Sequence, residues 1–175
     1  LPVTPETDTV SGFLDRWLVE SAKPKVAAST YRSYVLHVQT HIKPHIGSHR
    51  LVRLTPEHVQ AMLTNLAADP TEHEQALLKK AGRSPRRGAL KPASVQRVRA
   101  VLRKALNIAM RRTLISRNVV QLTDPPRVRR TQVVPPTPDQ ARRLLEVVKA
   151  DRWGALYAFA ITTGVRQGEA LGMRW

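Results

Sequence analysis

The 175-residue sequence has no cysteine and few aromatic residues. Without cysteine, the protein can form neither a disulfide bond nor a thiolate metal site. Aromatic residues account for 5% of the chain, and most fall at core spacing, so a stacking surface for unpaired RNA bases is not expected. Long apolar runs are also missing. None approaches the ~20 residues of a membrane-spanning helix, and no signal peptide is evident.

Acidic residues are absent from the centre of the chain. Residues 75–123 contain 13 Lys/Arg and no Asp or Glu, whereas residues 1–74 carry a net charge of −1 and residues 124–175 a net charge of +4. Solvated helix faces usually mix both signs, so this basic block predicts binding to a polyanion. A solvated face joined to a disordered loop is the alternative.

The aliphatic face of the basic region favours nucleic acid over a membrane surface as the polyanion. The helix predicted at about 92–113 has an apolar stripe without Trp or Phe, which suits a protein core better than a lipid interface. We therefore expect nucleic acid as the partner.

Apolar residues recur at helical spacing along almost the whole chain, and no strand is predicted. The predicted helices span about 8–22, 92–113, 116–122 and 153–163, and three more begin at Ser29, Thr55 and Thr137, with Pro44 and Gly47 ending the one that Ser29 caps. The predicted core positions are Val10, Phe13, Leu14, Trp17, Leu18, Tyr31, Tyr34, Val35, Val38, Ile42, Val59, Met62, Leu63, Leu66, Val95, Val98, Leu102, Ala105, Leu106, Ala109, Ala141, Leu144, Leu145 and Val148.

Cations gather in three places that predict contacts to nucleic acid. On the 92–113 helix, Arg97, Lys104 and Arg111 are spaced by seven and share one face opposite the apolar stripe. Gln96, Arg103 and Asn107 flank that face. The other two places are a basic loop within 69–91 and a Pro-rich linker at 124–136. Their candidate contact residues are Arg86, Arg87, Lys91, Arg127, Arg129 and Arg130.

The final fourteen residues, TTGVRQGEALGMRW, form the most specific motif. Gly164 predicts a turn that delivers Arg166 to the start of a short helix, with Glu169 three residues later. An arginine in that position suits phosphate binding, although a surface arginine capping a helix is the alternative. The motif resembles T-G-x-R-x-x-E-x-x-x-L-x-W, the stretch around the first catalytic arginine of tyrosine recombinases (the phage-integrase family). Met173 stands at the leucine position.

Three softer patterns extend the resemblance over most of the chain: TYRSYVLHVQTHIKPHIGSHRLVRLTPEHV, KPASVQRVRAVLRKALNIAMRRTLISRNV and PPTPDQARRLL. The resemblance implies an all-α fragment. A SAM-like helical core-binding domain at 1–123 and a linker at 124–136 would precede the first helices of a truncated mixed α/β catalytic domain at 137–175. Because the first residue is leucine, we expect a fragment of a longer protein.

The resemblance also implies a partner and a location. The second and fourth helices would lie against the major groove of duplex DNA at attachment-type sites, which adds Thr30, Arg32 and Ser33 as contacts. The family assembles as a homotetramer on DNA, whereas the fragment alone is expected to be a monomer. The expected location is the cytoplasm of a bacterium or phage-infected cell, at the nucleoid.

The implied reaction is DNA strand transfer through a 3′-phosphotyrosyl intermediate, which needs no metal or cofactor. Arg166 would stabilise the charge on the phosphate, and Glu169 would orient neighbouring cations. The family's later lysine, H-x-x-R arginine and nucleophilic tyrosine have no match. Tyr31, Tyr34 and Tyr157 fall on helices at other places. We therefore expect this fragment to bind DNA without cleaving it.

Three alternatives remain at this point. A relative of the integrases could bind DNA as a non-catalytic competitor or architectural factor, and a basic helical protein could bind structured RNA. A metal site is the third, because His37, His41, His45 and His49 are spaced by four, as helical metal ligands can be. Pro44 and Gly47 break any helix through this set, so no metal is expected.

Overall fold

A computed structural model describes residues 7–72, 75, 76, 79, 82, 88–128, 132 and 134–173. The chain divides into two compact units, Leu1–Arg129 and Arg130–Trp175. Regular structure in the described ranges is helical apart from one isolated antiparallel bridge between Thr9 and Arg50, which confirms the predicted all-α class. None of the described helices is both long and apolar enough to cross a bilayer.

The first two long helical segments each contain a π turn. Helix α1 (Val10–Arg16) begins at Thr9, whose Oγ1 accepts a hydrogen bond from the Gly12 N–H at 3.1 Å. It continues as a π turn, Trp17–Ala22, and a 3₁₀ turn, Lys23–Lys25. Helix α2 (Ala28–His37) likewise continues through a π turn, Val38–Ile42, into α3 (Lys43–Ile46).

Each π turn directly precedes a Lys-Pro pair, and this explains why Pro44 does not end the helix as predicted. The Lys23 and Lys43 N–H groups donate five residues back, to the carbonyls of Leu18 and Val38. The wider turn relieves the clash that a proline ring makes with a carbonyl four residues earlier. The helical path therefore runs to Gly47. Ser29 is not the N-cap either, because α2 begins one residue before it.

The predicted start of one helix and the predicted apolar stripe of another are confirmed in the structure. Helix α4 (Pro56–Ala67) has a capping box between Thr55 and His58, in which His58 takes the place of the usual Glu or Gln. Helix α5 (Pro92–Arg111) carries the predicted apolar stripe, every member of which is fully buried. The short helix predicted at 116–122 is instead a 3₁₀ turn, Val119–Leu122. The Asn118 side chain caps this turn by accepting a hydrogen bond from the Val120 N–H.

One hydrophobic core holds the first unit together. It draws on α1, α3, α4, α5, the two π turns and the two 3₁₀ turns at Leu51–Arg53 and Val119–Leu122. Tyr31, Tyr34 and Val35 pack against its edge, and the other predicted core residues of this unit are buried within it. Helical periodicity therefore found most of this core. It missed buried residues of the 3₁₀ turns and loops and a few helical ones, namely Ala22, Ile46, Leu51, Leu54, Val101, Val119 and Val120.

The second unit contains α6 (Pro138–Val148), α7 (Gly154–Thr163) and α8 (Gln167–Gly172). Thr137 and Gln140 form the predicted capping box of α6. The prediction of which side of α6 is buried was wrong in part. Leu144 is 47% exposed, and Ala141, Leu145 and Val148 are only half-buried, since the main packing partner of α6 among the described elements is the single helix α7.

Candidate nucleic-acid interface

Arg97, Lys104 and Arg111 form an exposed row along α5, here called the α5 cationic row. In the described part of the chain, no carboxylate pairs with any member of the row. Fixed cations without counter-charges create a positive potential that attracts a polyanion. The predicted cationic face of this helix is therefore present and free of internal ion pairs.

Three acidic residues of the first unit are paired with cations outside the row. Asp8 pairs with Arg16, Asp15 lies 2.6 Å from Lys43 Nζ, and Glu20 lies 2.9 Å from a guanidinium nitrogen of Arg112. These pairs neutralise one cation on α1, one on α3 and one at the carboxyl end of α5. They leave the α5 cationic row with its full charge.

Lys104 is positioned by contact with α2. Its ammonium donates a hydrogen bond of 2.9 Å to the Tyr34 hydroxyl and lies 5.3 Å from the centre of the Tyr34 ring. Tyr34 in turn stacks on buried Trp17, with ring centres 5.6 Å apart. The sequence identified Tyr34 only as a core residue, so its role in holding Lys104 was missed.

The predicted contacts on α2 lie in its first half. Arg32 and Ser33 are exposed, and Thr30 is half-buried. Helix α2 packs against α5. Arg32 and the α5 cationic row therefore belong to two adjacent helices, as the predicted surface requires.

Gln96 and Asn107, which flank the row, have structural partners. The Gln96 amide donates to the Pro126 carbonyl at 2.8 Å, and the Asn107 carbonyl oxygen accepts from the Asn118 amide at 2.7 Å. Arg103 is exposed, and only its backbone carbonyl is used, by Asn118. Of these flanking residues, Arg103 has the freest side chain for a ligand.

Arg99 belongs to the basic block but points inward, which the sequence analysis did not detect. Its guanidinium donates to the Val120 carbonyl, the Thr123 carbonyl and the Thr123 hydroxyl at 2.9, 2.9 and 3.0 Å. Burial, followed by the nearby charge of Arg103, lowers its pKa from the ordinary arginine value. Arg99 lies at the border between the cationic face and the apolar stripe of α5, and this position was the sequence feature that could have indicated its inward orientation.

The remaining predicted basic contacts are only partly within the described residues. Lys91, directly before α5, and Arg127, after Pro126, are both exposed. Arg86, Arg87, Arg129 and Arg130 lie outside the described residues.

The terminal motif has the predicted local geometry. Gly164 adopts a left-handed conformation, with φ of +70°, and ends α7. Arg166 is the N-cap of α8, and its side chain is 87% exposed. The Glu169 carboxylate accepts from the Arg166 backbone N–H at 2.9 Å and from its guanidinium at 3.1 Å. Glu169 therefore holds Arg166 in place while most of the guanidinium stays open to solvent.

The four evenly spaced histidines do not converge. The rings of His37 and His41 are 5.9 Å apart, whereas His49 lies against His58, at 4.2 Å. No cluster of three or more His, Cys, Asp or Glu side chains with metal-site geometry occurs among the described residues.

His37 should make the stability of the first unit pH-dependent. Burial, and next the charge of Arg97, lower the pKa of His37 below its ordinary value of 6.5. The unfolded state then binds more protons than the folded state, so this contribution to stability is complete above pH 6.5 and is lost as the pH falls below it. In urea unfolding, we expect the loss of stability from pH 7.5 to 5.5 to be smaller for His37→Gln than for the wild-type chain. Equal losses would contradict this role.

Comparison with known proteins finds similarity to phage integrases. Residues 9–67 match the family described as phage integrase, N-terminal SAM-like domain. An integrase from Saccharopolyspora erythraea is 28% identical over 169 residues, which cover 95% of this chain and 34% of that relative. This chain therefore spans about a third of the length of that curated protein.

Two solved structures share the fold. A lambda integrase dimer bound to a COC′ core site matches with a TM-score of 0.70 and 22% identity, over 98% of this chain and 43% of that chain. A lambda integrase tetramer bound to a Holliday junction matches with a TM-score of 0.59 and 20% identity, over 85% of this chain and 38% of that chain. The two structures share the fold of this chain, and the SAM-like match over α1 to α4 and the curated relative make the chain similar to phage integrases.

Proposed function

We propose that this chain is the DNA-binding part of a site-specific recombinase that integrates or excises mobile DNA in the cytoplasm. The observation that carries the proposal is the α5 cationic row, which has no carboxylate partner among the described residues. Its neighbour α2 adds the exposed Arg32. Two packed helices with unpaired cations suit the phosphate backbone of a duplex, and phosphate contacts supply most of the affinity of such proteins.

In this proposal, Arg166 meets the phosphate at which strand exchange occurs. The reaction of the complete protein would pass through a 3′-phosphotyrosyl intermediate, and the guanidinium would stabilise the charge that develops on the phosphate. The contacts of Glu169 support this role, because its carboxylate accepts from both the backbone N–H and one guanidinium nitrogen of Arg166. The planar guanidinium is a preorganised fork of donors, so it loses little conformational entropy for each hydrogen bond it makes to an oxyanion.

We further propose that the 175-residue chain binds duplex DNA without cleaving it. Strand cleavage by this family needs a tyrosine nucleophile. Tyr31 and Tyr34 are half-buried against the core, and Tyr157 lies on α7, outside any match to the family's nucleophile motif. The complete recombinase would act as a homotetramer on paired attachment-type sites, supported here by the resemblance of the fold to assemblies on DNA.

Competition binding tests this function against the RNA-binding alternative. A fluorescently labelled 30-base-pair duplex is bound to the full chain and displaced either by unlabelled duplex or by a structured RNA of equal length. We expect the duplex DNA to compete about tenfold better, because the major groove of B-form DNA admits an α-helix, whereas the deep and narrow major groove of an RNA helix does not. Stronger competition by RNA would overturn the proposal.

A further inference from the structure

A small cavity adjoins the α5 cationic row. Its volume is about 290 Å³, at the lower end of the range for small-molecule sites. Segments that are distant in sequence line it: the π turn after α1, the Lys23–Lys25 turn, α2 and α5. Lys25, Lys104 and Arg111 are the cations of this lining, and no acidic residue takes part in it. Three cationic side chains therefore contribute to the lining of one small space.

The aromatic residues of the cavity are unavailable for stacking on a base. Trp17 is 2% exposed and is already stacked on Tyr34. The Tyr34 hydroxyl accepts a hydrogen bond from Lys104, so the two stacked rings form one side of the cavity and hold the Lys104 ammonium in position. A nucleobase is therefore a poor occupant, whereas a compact anion fits the charges of the rim.

The polar groups of the cavity also favour an anion. Glu20, on the same π turn as Ser21, is paired with Arg112. The Ser21 hydroxyl accepts from Arg112 at 3.1 Å, and the Asn107 carbonyl oxygen accepts from Asn118. Both side chains thus use an acceptor internally and keep a donor, the hydroxyl hydrogen or the amide NH₂ group. Donors and cations together are the groups that recognise an oxyanion.

We propose that this cavity binds one phosphate group, and that Lys25, Lys104 and Arg111 share it. This proposal rests on the proposed function for its source of phosphate, a phosphodiester of duplex DNA. Lys25 thereby becomes a contact residue that the sequence analysis missed. Three cations on one phosphate differ in a measurable way from three cations that each meet a phosphate of their own.

The salt dependence of duplex binding separates these two arrangements. Each neutralised phosphate contributes about 0.9 to the slope of log K against log salt concentration. In the triple variant Lys25→Gln/Lys104→Gln/Arg111→Gln, we expect the slope to become shallower by about 0.9, since one phosphate contact is lost. A change near zero, or near ~2.7 as for three separate phosphates, would overturn the proposal.

A single substitution provides a matched comparison. Lys25→Gln should weaken duplex binding about tenfold, as expected for one charge-assisted contact, with little change in slope because two cations still hold the phosphate. Lys23→Gln, two residues away in the same turn and outside the cavity lining, should bind within about twofold of wild type. Equal losses in the two variants would mean that the cavity has no specific part in binding.

Titration with inorganic sulfate distinguishes a free oxyanion from a DNA phosphate. At constant ionic strength, the NMR signals of the cavity residues are followed in the wild-type chain and in the triple variant. A saturable shift that only the wild type shows indicates that the cavity binds the oxyanion by itself. No shift, together with the slope change of about 0.9, assigns the cavity to DNA phosphate alone.

The proposed function can fail separately from the cavity. If the wild-type chain does not bind duplex DNA at all, the proposed function fails, and a saturable sulfate shift still supports the phosphate-binding cavity. If duplex binding depends on other α2 and α5 cations while the triple variant behaves as wild type, the cavity proposal fails and the proposed function stands. Circular dichroism of each variant checks that the fold is retained.

Discussion

Replacing Arg32 and Arg97 together by alanine should weaken duplex DNA binding about 60-fold at 0.1 M salt. Both side chains are exposed, one on α2 and one on α5, and neither has an ion-pair partner among the described residues. If each neutralises one phosphate, counterion release predicts a slope that is shallower by about 1.8. Fluorescence anisotropy over a series of salt concentrations measures both quantities.

The matched control is Arg53→Ala/Arg117→Ala, which removes the same charge from a different part of the first unit. Arg53 and Arg117 are exposed and line a different depression, at the end of α5 beside the Leu51–Arg53 turn. We expect its affinity to stay within about threefold of wild type. Equal weakening by the two double variants would mean that net charge, rather than the α2 and α5 surface, determines binding.

Arg99→Met should cause the largest loss of stability among substitutions of the described Lys and Arg residues of the basic block. The change removes a guanidinium that donates to Val120 and Thr123, two residues that are themselves buried. The Thr123 carbonyl then loses its donor, whereas the Val120 carbonyl keeps the hydroxyl and the N–H of Thr123. The free energy of unfolding should therefore fall by about 1–3 kcal/mol. Urea unfolding followed by circular dichroism measures the change.

Arg103→Met, one helical turn away, is the control for the loss of a cation from α5. The Arg103 side chain is exposed, so this variant should unfold within about 0.5 kcal/mol of wild type. Arg99→Lys keeps the charge but cannot form the same fork of donors, and should lie between the two. Equal stability of the two methionine variants would show that the inward contacts of Arg99 contribute nothing.

Features that depend on a few neighbouring residues were predictable. The Thr55 and Thr137 caps are hydrogen bonds that span three residues, and the buried stripe of α5 follows from a period of 3.6 residues. The turn at Gly164 and the cap at Arg166 are local as well. In each case the sequence contains both the donor and the acceptor, or the complete repeat, within one turn or one helix.

Features that depend on distant neighbours were missed. The pairing of Lys104 with Tyr34 joins residues seventy positions apart, and Arg99 contacts residues more than twenty positions away. The exposure of Leu144 was missed for the same reason, because periodicity shows which face of a helix is apolar but not what covers it. The two π turns are local in sequence, but no period in the sequence indicated them.

The sequence by itself determined four features: the helical class, the positions of the strongest caps, the buried stripe of α5 and the cationic central block. These features follow from local hydrogen bonds, periodicity and composition. Only the tertiary structure decided which cations remain free. Packing turns Arg99 inward, ties Lys104 to Tyr34, and brings Lys25 beside α5 across a large separation in sequence. The physical reason is that an arginine or lysine has the same local propensity whether its partner is a buried carbonyl or a solvent-exposed phosphate, and only the folded core determines which of the two it can reach.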